Sequence, residues 1–283
     1  MDPLLVYNLD EEIIEIEKLK EFPLDFLSEK VVLGIDIYKY SEYQLAEQIY
    51  IPVLFDFLYQ STVITITTHE PFVFKPYTLD YSEFKKRFIS TGDGGYQIFE
   101  NPIEAIVFAI YFQMEVKRFN SGGSTLMRFK NLNNLIKSIE LRYSITTDLL
   151  YEYETNFYGP AIINNSRILS KDRLNRLLID KNTLDWLTRN INTPENLIDV
   201  DKSSFLLTNY FKTYDINLKS LIFDKKGSFI SVDFLKIEVL KAKNTELSIF
   251  NLHIQVAMNI AIEKHMYNTY IITVGNLNTK GIE

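Results

Sequence analysis

The stretch that most constrains the fold is Ile89-Ser90-Thr91-Gly92-Asp93-Gly94-Gly95-Tyr96-Gln97-Ile98-Phe99. An apolar run, a Gly-Asp-Gly-Gly turn and a second alternating run specify a β-hairpin, because Asp-Gly and Gly-Gly supply the positive φ angles of tight turns. Any sheet in this protein must contain that pair of strands, with the Asp93 carboxylate at the tip. A second strand-end carboxylate lies upstream. Val31 to Ile37 is an apolar strand, and Asp36 stands near its end in Gly34-Ile35-Asp36-Ile37-Tyr38-Lys39-Tyr40-Ser41. Either aspartate alone is more often structural than functional. Together they supply hard oxygen ligands of the kind that two divalent cations about 3.5 to 4 Å apart require.

Composition narrows the chemistry. The 283 residues are 46% hydrophobic and 24% charged, with 18 Tyr and 20 Phe, enough for a substantial core rich in sheet-favouring aromatics. The net charge of −7 and the lack of a dense basic run argue against a nucleic-acid polymer as partner. There is no cysteine, which excludes disulfides, thiolate nucleophiles and Cys-ligated metals. His69, His253 and His265 lack metal-ligand spacing. The amino terminus lacks a signal peptide's basic start and apolar run. The longest apolar run, Ala105 to Phe112, falls well short of the roughly 20 residues that span a bilayer. A soluble, cytoplasmic protein without a membrane partner is expected.

Along the chain, residues 9 to 21 read as a short amphipathic helix ended near Pro23. After the Val31 to Ile37 strand a helix is expected from Ser41, kinked or restarted at Pro52. β-Branching in residues 61 to 68 favours a strand, although the same residues could finish that helix. Residues 69 to 84 are expected as a loop leading to a hairpin strand at Phe84 to Ser90. Asn101-Pro102 then caps a helix whose stripe is Ile103, Ile106, Val107, Ile110, Tyr111 and Met114. Downstream, Ile139 to Thr147 is a strand and Leu149 to Glu154 a possible hairpin partner. A helix runs from Gly159-Pro160 to about Leu169, Arg176 to Ile179 is a strand, and Thr183 to Arg189 is a helix. Strands are expected at Leu221 to Phe223, at Ser228 to Leu240 and around Tyr270, Ile272 and Val274. This order implies an α+β fold with helices on one face of a mostly antiparallel sheet. The first strand would lie beside the hairpin, as in a ferredoxin-like βαββαβ core. Residues 1–29 are an accessory segment with an N-terminal helix, 30–200 the core, and 201–283 a β-rich C-terminal extension. In that arrangement backbone N–H groups from Ile37 to Ser41 could face phosphate oxygens at a helix start.

Four ordered segments resemble the class III nucleotide cyclases. Asp36-Ile37-Tyr38-Lys39-Tyr40-Ser41 is similar to the family's Asp-Ile-x-x-Phe-Thr/Ser, and Thr91-Gly92-Asp93-Gly94 to its Gly-Asp turn. Leu141-Arg142-Tyr143-Ser144-Ile145 resembles its Leu-Arg-Ile-Gly-Ile strand, and Gly159 through Arg167 has the spacing of its Gly-x-x-Val-Asn-x-Ala-x-Arg helix. The resemblance covers roughly residues 30 to 190. It implies that Asp36, Asp93 and the backbone carbonyl of Ile37 hold two Mn2+ or Mg2+ ions, that Arg167 stabilises transition-state phosphate charge, and that Tyr40 and Ser41 belong to the nucleotide site. It further implies a homodimer with head-to-tail shared sites, and attack of the ribose 3′ oxygen on the α-phosphate with release of pyrophosphate.

Two departures bear on specificity. The family's ribose-orienting Asn falls on Ile163, with Asn164 and Asn165 displaced. The adenine-reading lysine is replaced by Ile89, and its partner position falls on Asn156. Ile89 can neither donate to nor accept from a base edge, whereas Asn156 can do both. The Ser-Thr-Gly-Asp-Gly-Gly stretch and the Gly-Pro-Ala helix start add a likeness to the pyrimidine cyclases of Pycsar antiphage systems. Those enzymes make cyclic UMP or cyclic CMP for a separate effector. UTP, or else CTP, is the substrate so implied. The competing readings are an adenylate or guanylate cyclase, a non-catalytic nucleotide-binding module and, least favoured because no Gly-Gly-Asp/Glu-Glu-Phe turn is present, a diguanylate cyclase or polymerase palm.

Overall fold

The computed structural model describes residues 27–71, 73, 74, 77, 81–122, 132–153, 156–190, 228–242, 245–263, 266–278 and 280. The helix expected over residues 9 to 21 and the strand expected at Leu221 to Phe223 lie outside these residues. The elements are β1 (Ser28–Ile37), a 3-10 turn (Tyr40–Glu42), α1 (Leu45–His69), α2 (Tyr81–Lys86), β2 (Phe88–Ser90), β3 (Gly94–Phe99) and α3 (Pro102–Asn120). They continue as β4 (Leu141–Tyr153), β5 (Asn156–Tyr158), α4 (Pro160–Lys171), β6 (Leu177–Asp180), α5 (Lys181–Asn190), β7 (Ser228–Ala242), β8 (Thr245–Glu263) and β9 (Met266–Val274). The sheet runs β2-β3-β1-β4-β6-β8-β7, with β5 paired to β4 and β9 to β8. Its first four strands, with α1 and α3 as crossovers, are the βαββαβ arrangement expected from the sequence. The β4–β6 pair is parallel and the other pairs are antiparallel.

Strand alternation divides the core in two. Val31, Leu33, Ile35 and Ile37 of β1 are buried with α1 and α3 on one face. On that face Phe99 and Phe108 lie 5.5 Å apart and Phe55 and Phe112 5.3 Å apart, with tilted rings. Val32 is buried on the opposite face with Ile98, Leu150 and Ala161, under α4. The two crossover helices therefore share one face, and α4, which lies outside the βαββαβ unit, covers the other. Gly34 permits that contact. A Cβ there would lie 2.1 Å from Asn165 Oδ1 and 2.6 Å from Leu169 Cδ1.

Several local expectations change. The helix begins at Leu45 rather than Ser41, behind a Gln44/Glu47 capping box, and Tyr40-Ser41-Glu42 forms a 3-10 turn. Residues 61 to 68 complete α1 instead of forming a strand. The hydroxyls of Thr62, Thr65, Thr67 and Thr68 donate to carbonyls four residues earlier at 2.7 to 2.8 Å, and Thr62, Val63 and Ile66 are buried. Tertiary burial thus overrides β-propensity. α1 also continues through Pro52. The carbonyl that Pro52 cannot reach, that of Gln48, accepts from Tyr40 Oη at 3.1 Å. α1 is long and apolar enough to cross a membrane by length and composition, but Ile51, Leu54, Phe55, Leu58 and Tyr59 are buried in this core. Residues 84 to 86 belong to α2, and Leu149 to Tyr153 continue β4, whose hairpin partner is β5.

Candidate active site

β1 lies between β3 and β4, with Asp36 opposite Gly94 on one side and Arg142 on the other. The hairpin loop is tied to the end of β1 because Ile37 N–H donates to Asp93 carbonyl O at 3.2 Å, and the loop is closed by Thr91 N–H to Gly94 O at 3.0 Å. Of the turn's glycines only Gly92 has a positive φ, 98°. Gly94 is required for a different reason than turn geometry. A Cβ there would lie 2.1 Å from Ile35 carbonyl O, so only glycine lets the hairpin approach β1 closely enough to bring the two aspartates together.

Asp36 and Asp93 line one cleft of about 470 Å³ with Ile37, Tyr38, Lys39, Tyr40, Ser41, Glu42, Arg142 and Arg173. The Asp36 side chain is 16% exposed and forms an ion pair with Arg142. Burial raises its pKa, Arg142 opposes that shift, and the neighbouring Asp93 carboxylate adds to it. Among the described residues no group of three His, Cys, Asp or Glu side chains surrounds a common point. The donors available are two carboxylates that repel each other electrostatically, together with backbone oxygen. This hard-oxygen set suits Mg2+ or Mn2+, which keep part of their water and phosphate shell, and would be a poor cage for a structural metal. The residues present therefore fit a divalent cation.

Arg142 is the site residue that the sequence reading left without a role. Its position among buried Leu141, Tyr143 and Ile145 places it by alternation on the opposite face of β4, and the β1–β4 register then sets it against Asp36. It also donates to Asp172 carbonyl O at the end of α4. Arg173 arrives from the loop after α4 and carried no local signal.

The turn after Asp36 differs from the anion-binding helix start expected of Ile37 to Ser41. Ile37 N–H is occupied by Asp93 O, and Tyr38 N–H by Glu140 O at 2.9 Å. Lys39 adopts φ 60° and ψ 33°, a left-handed conformation unusual for lysine. Its ammonium pairs with Glu42 at 3.0 Å. Tyr40 lines the cleft while its hydroxyl donates to Gln48 carbonyl O within α1, and Ser41 is exposed in the cleft lining.

Asn156 and Arg167 are both exposed and neither lines this cleft. Asn156 opens β5, opposite Tyr153. Arg167 projects from α4 and donates to Asn164 Oδ1 at 3.3 Å. Ile163 is half exposed. Asn165 is buried and donates to Val32 carbonyl O at 2.7 Å, so its amide secures α4 to the sheet and is removed from any ligand. Ile89 is half-buried and packs with Tyr96 against Val32 and Ile98. By register it is on the face that carries Asp36.

No protein-family model and no curated protein matches the chain. Among solved structures, the adenylyl cyclase CyaB from P. aeruginosa is similar at 11% identity, covering 80% of this chain and 94% of that one, with a TM-score of 0.43. The catalytic core of a rhodopsin-guanylyl cyclase with converted specificity, in complex with ATPalphaS, is 11% identical over 80% of this chain and 97% of its own, with a TM-score of 0.45. Adenylate cyclases from Trypanosoma brucei in their monomeric state are 9% identical over 79% and 87%, with a TM-score of 0.45.

Proposed function

We propose that this protein is a class III nucleotide cyclase that converts UTP, or CTP, to the 3′,5′-cyclic monophosphate. The observation that carries the reading is the convergence of Asp36 and Asp93 at adjacent strand ends of a βαββαβ sheet, in one cleft with the Ile37 to Glu42 turn. Asp36, Asp93 and the Ile37 carbonyl would hold two divalent cations, Mn2+ or Mg2+. Bound there, they supply charge neutralisation for a triphosphate and acidify the ribose hydroxyl. In the reaction the 3′ oxygen forms a bond to the α-phosphorus, the bond from that phosphorus to the β-phosphate bridge breaks, and pyrophosphate and a proton are released.

The placement of Arg167 supports shared sites. Its side chain is exposed on α4 and outside the lining of its own subunit's cleft, as expected if it serves the aspartates of a second copy in a head-to-tail homodimer. There its planar fork would bind phosphate oxygens as charge moves to the leaving group. Asn164, which touches Arg167, is on the same stretch of helix as Ile163 and can orient the ribose in its place. The pyrimidine assignment rests on Ile89, whose apolar side chain on the Asp36 face offers no hydrogen bond to a purine edge, and on the exposed amide of Asn156. The cyclic nucleotide would then activate a separate effector in antiphage defence.

The test is incubation of the purified protein with ATP, GTP, UTP and CTP in separate Mn2+ reactions, with products resolved by chromatography. Cyclic UMP or cyclic CMP plus pyrophosphate is expected, and Asp36→Ala abolishes both. Preferred turnover of ATP or GTP overturns the pyrimidine assignment. Nucleotide binding without pyrophosphate release identifies a non-catalytic module.

A further inference from the structure

We infer that Arg176 and the segment that leaves β9, Gly275 to Asn278, position the proposed cation ligands Asp36 and Ile37, acting on them through Arg142 and Glu140. The inference rests on the cyclase reading above and gives the C-terminal extension a part in it. Gly275 adopts φ 76°, and a Cβ there would lie 2.6 Å from Leu252 carbonyl O and 3.2 Å from Leu177 N. Glycine therefore lets the chain turn off β9 and pass close to β8 and β6. Asparagine side chains then fold the segment on itself. Asn278 N–H donates to Asn276 Oδ1 at 2.9 Å, and Lys280 N–H to Asn278 Oδ1 at 3.0 Å. From β8, Asn251 Nδ2 donates to Asn276 carbonyl O at 2.6 Å.

Two hydrogen-bonded routes run from this segment to the cleft. The first passes through Arg176, whose side chain is fully buried. Its Nη1 donates to the carbonyls of Asn278 at 3.3 Å and Lys280 at 2.5 Å, and its Nε and Nη2 donate to Asp172 Oδ1 at 2.9 and 2.5 Å. A buried ion pair is tolerated only when its remaining donors are satisfied, and the C-terminal carbonyls satisfy them here. Asp172 carbonyl O accepts in turn from Arg142 Nη1, and Arg142 Nε donates to Asp36 Oδ2. Arg142 is thus fixed at two points, and before any cation arrives it holds the carboxylate in one orientation. The second route starts at Asn276, whose Nδ2 donates to Asn175 Oδ1 at 2.6 Å and to Asn175 carbonyl O at 2.9 Å. Asn175 Nδ2 donates to Glu140 Oε2 at 3.0 Å, and Glu140 carbonyl O accepts from Tyr38 N–H at 2.9 Å. Tyr38 N–H and Ile37 C=O belong to one planar trans peptide, so fixing the first sets the direction of the second. The routes end on the carboxylate and on the carbonyl beside it, the two oxygen ligands that β1 offers a cation. Partners that orient metal ligands set affinity by sparing the cost of ordering those ligands when the metal binds.

The test reads Mn2+ binding by the full chain from the EPR signal of the free ion, without nucleotide, alongside thermal unfolding. Arg176→Lys keeps the charge but cannot span Asp172 and the C-terminal carbonyls, and Asn276→Ala cuts the second route at a half-buried residue. Mn2+ binding is expected to weaken about tenfold in R176K, the low end for partners of metal ligands, and by less in N276A. Leu187→Ala, a change in the main core on α5, should lower the unfolding temperature and leave Mn2+ affinity unchanged, so that loss of stability alone does not explain the other two. Wild-type affinity in N276A and in a folded R176K overturns the inference and leaves the cyclase reading intact; so does an equal fall in L187A. Asn276→Ala removes no charge and decides the question by itself if Arg176→Lys does not fold. A wild type that binds Mn2+ but turns over none of the four triphosphates overturns the cyclase reading and leaves the positioning role standing. A wild type that binds no Mn2+ overturns both.

Discussion

Tyr40 occupies a position where an aromatic residue could be explained by ligand contact alone, yet its hydroxyl has a defined structural partner. The Gln48 carbonyl would ordinarily accept from residue 52, which is proline, and it accepts from Tyr40 Oη at 3.1 Å instead. Tyr40→Phe keeps the ring and removes that donor, leaving a partly buried carbonyl unsatisfied, which costs about 1 kcal/mol. Pro52→Ala restores an N–H to the helix ladder and gives the same carbonyl a second source of a hydrogen bond. In that background Tyr40→Phe should cost no more than about 0.3 kcal/mol, a coupling of roughly 0.7 kcal/mol in a double-mutant cycle. Urea unfolding followed by fluorescence measures all four proteins, since Trp186 is the single tryptophan and packs against the main core. An equal Tyr40→Phe penalty in both backgrounds would refute the claim that this hydroxyl compensates for Pro52. It would return Tyr40 to a purely ligand-facing role.

Two further outcomes follow from buried contacts. Gly34→Ala forces a Cβ against Asn165, Leu169 and Ser144 at 2.1 to 2.7 Å. It should cost on the order of 3 kcal/mol in urea unfolding by prising α4 from β1; a loss below about 1 kcal/mol would show that the helix can shift freely. Burial pushes the Glu104 carboxyl up to about 7 and the Asp180 carboxyl up to about 6, against usual values of 4.5 and 3.8. The folded state therefore holds protons that the unfolded state has released, and stability falls as pH rises through these windows, on the order of 3 kcal/mol for each group. Unfolding from pH 4 to pH 8 should show that decline, and Glu104→Gln should remove the Glu104 share of it, most visibly above pH 6, while leaving that of Asp180.

Sequence made the locally encoded parts legible. Asn101 and Pro102 mark the start of α3 by capping chemistry, and Asn101 Oδ1 does accept from Glu104 N–H at 3.1 Å. The Gly92 to Gly95 hairpin and the strand through Asp36 were equally readable, because turn residues and alternation act over a few positions. What failed to show depends on distant partners. β8 buries Leu247 and Ile249 on odd positions but Leu252, Ile254, Val256 and Met258 on even ones. Ile249 joins the α4-side cluster with Ile168 and Leu178, and the later residues join the main core. A strand that buries one face at one end and the other face at the other has no single period to detect. Arg142 was legible as a polar-face residue, but its partner was not, since only the β1–β4 register brings it to Asp36. Arg173 is farther still from any local signal, being placed by Tyr38 and by the end of α4.

Two unfavourable features meet between Asp36 and Glu42. A desolvated carboxylate faces a second carboxylate, and a lysine adopts a left-handed backbone, which costs on the order of 1 kcal/mol for a residue with a Cβ. Such conformations persist only where their surroundings determine them several times over. Here they do: Ile37 is bonded to Asp93, Tyr38 to Glu140 and Arg173, and Tyr40 to Gln48, while Glu42 N–H closes back on Lys39 O at 2.9 Å. The same segment would have been cheaper as a plain strand-to-helix turn with Asp36 replaced by an apolar residue. Cations bound between Asp36 and Asp93 would relieve the carboxylate repulsion and release Arg142 toward an incoming anion. The stretch where these two costs fall together is thus the part that a metal and a polyphosphate would complete.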